Sequence, residues 1–298
     1  MQARQVAAPG RYGLALATRL LQRARLAEPT EGLWEAADVN WWWRRPRRSD
    51  DVGHLVWLDA DGDPVGAVLQ TDWGREWQVD PVTVGADADL ETEVWEAAVT
   101  VAREHADSAV WVREDNSDAM AELAERGFVA APGDTTMWMA AAERRPPSAP
   151  PEGYRVLDRT SVLDRPHHLI ARNGVDVERR LQETPLYDPT LDLFVVDADD
   201  EVAGYPLFWL DPVTGVGLVE PVRTEEAHQG RGLADHLVRS GLERMAARGA
   251  TRMKVSWENP VAGRVYARAG FLPESTSVVM RPSGPPSRAP GVAAAGES

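Results

Sequence analysis

HQGRGLADHLV, residues 228–238, is the stretch on which the reading of this chain turns. Gly230 and Gly232 flank Arg231 directly ahead of an apolar run. Upstream, GVGLVEPVRT (215–224) has the alternation and β-branched content of a strand. Downstream, Leu233, Leu237, Val238, Gly241, Leu242 and Met245 recur at helical spacing, and the pattern stops near RGA at 248–250. The order is therefore strand, glycine turn, helix. A helix start carries unpaired backbone N–H groups and the positive end of the macrodipole. Glycine lets a ligand approach without a Cβ in the way, and Arg231 adds positive charge. Such a turn suits a phosphate or a pyrophosphate. A nucleotide-hydrolase loop would need a Lys after its glycine, and a dinucleotide fingerprint would need a third glycine where Asp235 stands.

The rest of the chain repeats this pattern in outline. VWLDADGDPVGAV (56–68) matches FVVDADDEVAGYP (194–206), VDPV (79–82) matches VEPV (219–222), and NSDAMAELAERGF (116–128) matches NPVAGRVYARAGF (259–271). Anchors in the same order, about 140 residues apart, predict a duplicated α/β unit rather than a solenoid. The Asp-Ala-Asp segments read as hairpin turns; they lack the glycine and glutamate of a calcium loop. Pro-rich ERRPPSAPPEG (143–153) divides the copies. The expected organisation is a first domain over 1–142, a linker over 143–153, a second domain over 154–281 and a disordered tail over 282–298.

Composition narrows the function classes. The 298 residues carry a formal charge of −15, which repels phosphate backbones and anionic membranes, so neither nucleic acid nor membrane is expected as a partner. With no cysteine, thiolate nucleophiles and Cys-ligated zinc are excluded, and the six histidines show no metal spacing, so no metal is expected. No apolar run approaches a bilayer span, and the N-terminal segment lacks a clean signal-peptide pattern, which reads as cytoplasmic.

Gln-x-x-Gly-x-Ala, formed by Gln229, Gly232 and Ala234, resembles the pyrophosphate-wrapping segment of the GCN5-related N-acetyltransferases. The context extends the resemblance over about 154–281: a strand RMKVSW (252–257), then Asn259, a short helix bearing Tyr266, and Gly270-Phe271. VEPVRT ahead of the turn resembles a variant of many actinobacterial members. The resemblance implies two tandem α/β domains of this family, each a mixed sheet flanked by helices, similar to the mycothiol synthase type in which one half is active. It implies acetyl-CoA as co-substrate and an amine acceptor, expected to be a small molecule. Backbone groups around Val222 and Thr224 would then hold the pantetheine and thioester. The turn of Gln229, Gly230, Arg231, Gly232, Leu233 and Ala234 would hold the pyrophosphate, and Asn259 would orient the cofactor or cap its helix. Tyr266 would protonate the leaving thiolate, and Glu220 would take the amine proton or shape the site.

In the first copy Leu123 stands where Tyr266 stands in the second, and the glycine turn is absent, so that copy is expected not to acetylate; it could form one wall of the acceptor site. Residues 165–189, with Tyr187 among them, are a further candidate acceptor cover. NWWWRRPRR (40–48) reads as partial packing with arginines extending outward, against a stacking surface as the alternative. A non-catalytic acyl-CoA sensor and a protein scaffold stay open as other classes. Both a monomer with an internal pseudo-dimer and a homodimer fit the duplication.

Overall fold

A computed structural model describes residues 3–105 and 107–283. The first copy runs β1 (Arg4–Ala8), α1 (Gly10–Ala27), α2 (Ala36–Trp42), α3 (Arg48–Val52), β2 (His54–Leu58), β3 (Pro64–Asp72), β4 (Trp77–Thr83), α4 (Ala88–Glu104), β5 (Ser108–Arg113), α5 (Ser117–Glu125) and β6 (Phe128–Ala140). The second runs β7 (Arg155–Asp158), α6 (Ile170–Asn173), α7 (Val177–Gln182), β8 (Leu193–Val196), β9 (Val202–Asp211), β10 (Val216–Thr224), α8 (Leu233–Ala247), β11 (Arg252–Trp257), α9 (Pro260–Ala269) and β12 (Leu272–Pro282). Strand matches strand down the two copies. The acidic turns match as well: Asp59 Oδ1 accepts from the amides of Asp61 and Asp63, and Asp197 Oδ1 from those of Asp199 and Glu201.

All twelve strands form one mixed sheet in the order β1-β2-β3-β4-β5-β12-β6-β11-β10-β9-β8-β7. Exchanging each strand for its copy reverses this order onto itself, so the halves are related by a pseudo-twofold axis between β6 and β12. The last strands have changed places. β12 lies antiparallel to β5 of the first copy, and β6 lies antiparallel to β11 of the second. The expected boundary at 142/143 therefore divides the chain but not the packing: each half of the sheet is completed by the other copy. Nor is the linker free. Arg144 pairs with Glu243 on α8 at 2.8 Å, and His236 Nδ1 lies 2.8 Å from the Ser148 carbonyl oxygen. Pro282 ends β12, and residues 284–298 of the expected tail lie outside the described residues.

Helices cover both faces. On one, α4 and α5 pack over Val79, Val110 and Met280, while α8 and α9 pack over Phe208, Val255 and Phe271. Gly241 lets α8 approach the sheet, because a Cβ there would fall 2.0 Å from the Phe208 ring. On the other face a shared core draws on both copies, with Leu20, Trp41 and Leu69 beside Leu181, Phe194 and Trp209. The tryptophan run of α2 lies in this core. Trp41, Trp42 and Trp43 are all buried, whereas partial packing was expected. Of the following arginines, Arg44 stacks over Trp41 at 3.9 Å and Arg47 over Trp73 at 4.2 Å, while Arg48 extends outward, its side chain 73% exposed and paired with Asp72. Burial lowers both guanidinium groups, Arg44 to about 9 and Arg47 to about 10. Three adjacent tryptophans can all be buried because α2 is clasped on several sides. Trp42 meets Trp34 and Trp73 edge-on, and Trp43 lies under Arg180 of α7 and donates to Glu183.

Candidate active site

β10 and β11 run parallel from Val216/Arg252 to Leu218/Lys254, and no pairing continues to their ends at Thr224 and Trp257. The strands part there. A bulge between Val219 and Val222 breaks the register of β10 with β9, and the Trp209 indole donates to the Glu220 carbonyl at 2.9 Å across it. The parting strands open into a cavity of about 580 Å³. Glu220, Val222, Asn259 and Tyr266 all line it. Asn259 also caps α9, its Oδ1 accepting from the Val261 amide at 2.8 Å.

Tyr266 is 6% exposed, and its phenol oxygen has no hydrogen-bond partner among the described residues. Burial, and next the charge of Glu220, raise its phenol above the ordinary value, so it carries its proton throughout the physiological range. Burial, and next the charge of Asp38, raise the Glu220 carboxyl to about 8, with Arg44 drawing against them. Two of those neighbours belong to the first copy. Asp38 is itself raised by burial and lies 3.4 Å from Lys254, a β11 side chain 1% exposed that also donates to the Leu33 carbonyl. Arg25 and Glu35 pair beside it at 2.6 Å.

At the other end of the parting, the helix mouth is open. Gly232 caps α8 in the left-handed region (φ 82°) with no side-chain cap, and nothing lies within 4 Å of where a Cβ would stand on Gly230 or Gly232. Among the described residues the amides of Gly230, Arg231, Gly232, Leu233, Ala234 and Asp235 meet no intramolecular acceptor. Asp235 does not cap them, because its carboxylate is held by Arg239 at 2.9 Å. Gln229 donates to the Thr224 carbonyl at 3.2 Å and so closes the turn. Arg231 is exposed, and Leu233 turns its side chain into the core, leaving its amide for the mouth. The matching mouth in the first copy is shut: Asp87 caps α4 by accepting from the Leu90 amide at 3.1 Å. The wedge between β4 and β5 persists there as a cavity of about 750 Å³ lined by Asp80, Trp95 and Trp111.

The sequence offers the first copy as one wall of the site but names none of its residues. Trp34, Asp38, Trp42, Trp73, Glu76 and Trp111 line the 580 Å³ cavity from the first copy, and Asp134 joins them from the exchanged β6. None of residues 165–189 lines it. Tyr187 instead donates to Asp192 at 2.8 Å within a buried group that includes His167 and His168. Those side chains come close enough to suggest an ion, but the Leu169 amide donates to His167 Nδ1 at 3.2 Å. His167 Nε2 faces Asp192 at 2.9 Å, and His168 Nε2 lies 3.1 Å from the other carboxylate oxygen. Burial alone would raise Asp192; the two imidazoles hold it below its ordinary value.

Comparison with known proteins agrees with this geometry. Residues 159–271 match the Acetyltransferase (GNAT) family. A 108-residue stretch is 33% identical to the mycothiol acetyltransferase of Clavibacter michiganensis subsp. michiganensis; it spans 36% of this chain and 34% of that relative's length. The fold is similar to a GCN5-related N-acetyltransferase from Sphaerobacter thermophilus, with TM-score 0.59 and 20% identity over 93% of this chain and 94% of the other. It is similar too to a tandem GNAT protein from the clavulanic acid biosynthesis pathway, with TM-score 0.63 and 18% identity over 94% and 98% of the two chains. The tandem GNAT architecture is thus shared along nearly the whole chain. No helix among the described residues is long and apolar enough to cross a membrane.

Proposed function

We propose that this chain, whose residues 159–271 belong to the acetyltransferase (GNAT) family, moves an acetyl group from acetyl-CoA to the primary amine of a small molecule, using its second copy. The observation that carries the reading is that Tyr266 and Glu220 face one cavity at the parting of β10 and β11. The amides from Gly230 to Ala234 take the pyrophosphate, with Arg231 beside them, and their dipole favours its charge. Backbone groups at Val222 and Thr224 take the pantetheine arm and align the thioester. Asn259 borders the same passage. The amine gives a proton to the Glu220 carboxylate and attacks the thioester carbonyl. The C–N bond forms as the C–S bond breaks, and the departing thiolate, of pKa about 8.5, takes the Tyr266 proton. The phenol is fully protonated when the thiolate leaves, and its raised value makes it a weaker donor than an exposed tyrosine.

The test is CoA release over a panel of amines, with acetyl-CoA affinity measured by calorimetry. Tyr266→Phe is expected to lower kcat by about 100-fold and leave acetyl-CoA affinity unchanged. Tight acetyl-CoA binding with no turnover on any amine, and no effect of the substitution, would instead identify a non-catalytic acyl-CoA sensor.

A further inference from the structure

The walls of the cavity carry information about the acceptor. Trp34, Trp42, Trp73, Trp111 and Trp257 face it, and its lining contains Asp38, Glu76, Asp134, Glu220 and Glu258 but no Lys, Arg or His. Several of these acids are already answered. Asp38 faces Lys254, and Glu76 is paired with Arg281 at 2.5 Å. Glu220 is neutral below about 8. Asp134 and Glu258 have no ion-pair partner among the described residues, and burial together with the Glu258 charge raises Asp134 to about 6. Asp134 is ionised at neutral pH, and it and the Glu258 side chain line the cavity together with the tryptophans, whose rings attract cations. The unpartnered, largely buried Tyr266 faces the same space.

We propose that the acceptor is a dication: one amine reacts at Glu220, while a second cationic group rests with Asp134 and Glu258 against the tryptophans. This rests on the acetyl-transfer reading. The reacting amine enters as an ammonium and leaves one proton on ionised Glu220; as the C–N bond forms and the C–S bond breaks it gives up a second, which makes good the proton Tyr266 hands to the thiolate, and it becomes an amide, while the second cationic group keeps its charge and its seat. An amine carrying a carboxylate in place of the second cation meets repulsion from Asp134 and Glu258. The exchanged strand is what brings Asp134 here, because β6 lies beside β11 with Thr135 opposite Trp257.

Cadaverine, n-amylamine and ε-aminocaproate separate these cases, having similar chains and different far ends. Binding is read by tryptophan fluorescence of the full chain, and turnover by CoA release. Cadaverine is expected to bind about tenfold more tightly than amylamine, and aminocaproate more weakly than either. Asp134→Asn combined with Glu258→Gln should bring cadaverine to the amylamine level and leave acetyl-CoA affinity unchanged. Equal binding of the three amines, or cadaverine affinity untouched by the double substitution, overturns the proposal. Acetylation of all three amines without preference would remove the cation site and keep the transferase. Charge-dependent cadaverine binding without CoA release from any amine would keep the cation site and remove the transferase.

Discussion

Glu220 shows how one residue's chemistry is set by side chains of the other copy. An exposed glutamate is fully ionised at neutral pH; here burial, with Asp38 next to it, holds the carboxyl near 8, and Arg44 limits the rise. As the proposed base, Glu220 is available only as pH climbs, so kcat/KM is expected to rise through about pH 8. Deprotonation of the amine acts in the same direction, and Asp38→Asn separates the two: removing that charge should move the acid limb to lower pH, whereas the amine's own limb would stay. Stability runs the opposite way. The folded protein holds the Glu220 proton up to about 8 and the unfolded chain only to about 4.5, so the folded form binds more protons within that window and loses stability as pH rises through it. Glu220→Gln should thus cut turnover by about 100-fold, abolish the Asp38-sensitive limb and raise the melting temperature at pH 8. A pH–rate profile alongside thermal melts checks both signs; an unchanged profile would remove Glu220 from the reaction.

At the scale of elements, α4 and α8 are the same helix with opposite mouths. Asp87 fills one with a carboxylate, while Gly232 leaves the other bare. The contrast gives Gly232→Asp a specific outcome. The left-handed backbone at φ 82° costs a side chain about 1–2 kcal/mol, and a capping carboxylate returns about 1 kcal/mol, so stability should change little. The same carboxylate competes for the amides and repels the diphosphate, so acetyl-CoA binding should fall by 100-fold or more in calorimetry, with Gly232→Ala losing far less. Parity between Asp and Ala would mean that these amides do not hold the cofactor. This element was legible in the sequence because everything defining it is local: the glycines, the periodicity of α8, and the Asn259, Pro260 and Gly270 signals around α9. The first-copy wall of the cavity was legible only in outline, not in its residues. Trp34, Trp73, Trp111 and Asp134 lie on separate elements, and no spacing between them encodes their meeting. The Trp41–Trp43 run was visible, but a helix with one buried face cannot explain it, and nothing nearby in sequence reveals that α2 is enclosed by both copies.

For the whole molecule, the duplication was legible and the exchange was not, for a single reason. β6 and β12 are copies, so each carries a pattern that suits either half of the sheet, and periodicity says which face of a strand is buried without saying which neighbour it pairs with. The exchange makes the halves depend on each other. β12 contributes Met280 to the core of the first copy and lies hydrogen-bonded to β5, with Ser277 opposite Arg113 and Met280 opposite Val110. A chain ending at Phe271 would lose buried Val279 and Met280, which costs about 3–6 kcal/mol before any loss of pairing, and would uncover β5 as an edge. Were the copies independent, that truncation would spare residues 3–127. The exchanged sheet predicts the reverse: hydrogen exchange in β4 and β5 should lose protection together with β6 and β11, while a chain ending at Ser283 keeps it. Retained protection of β5 in the shorter chain would show that the first copy folds without its partner's strand. Loss of protection would mean that the first copy, lacking the open helix mouth and the tyrosine, is held in place because the second completes its sheet, and that the second takes both β6 and one wall of its cavity in return.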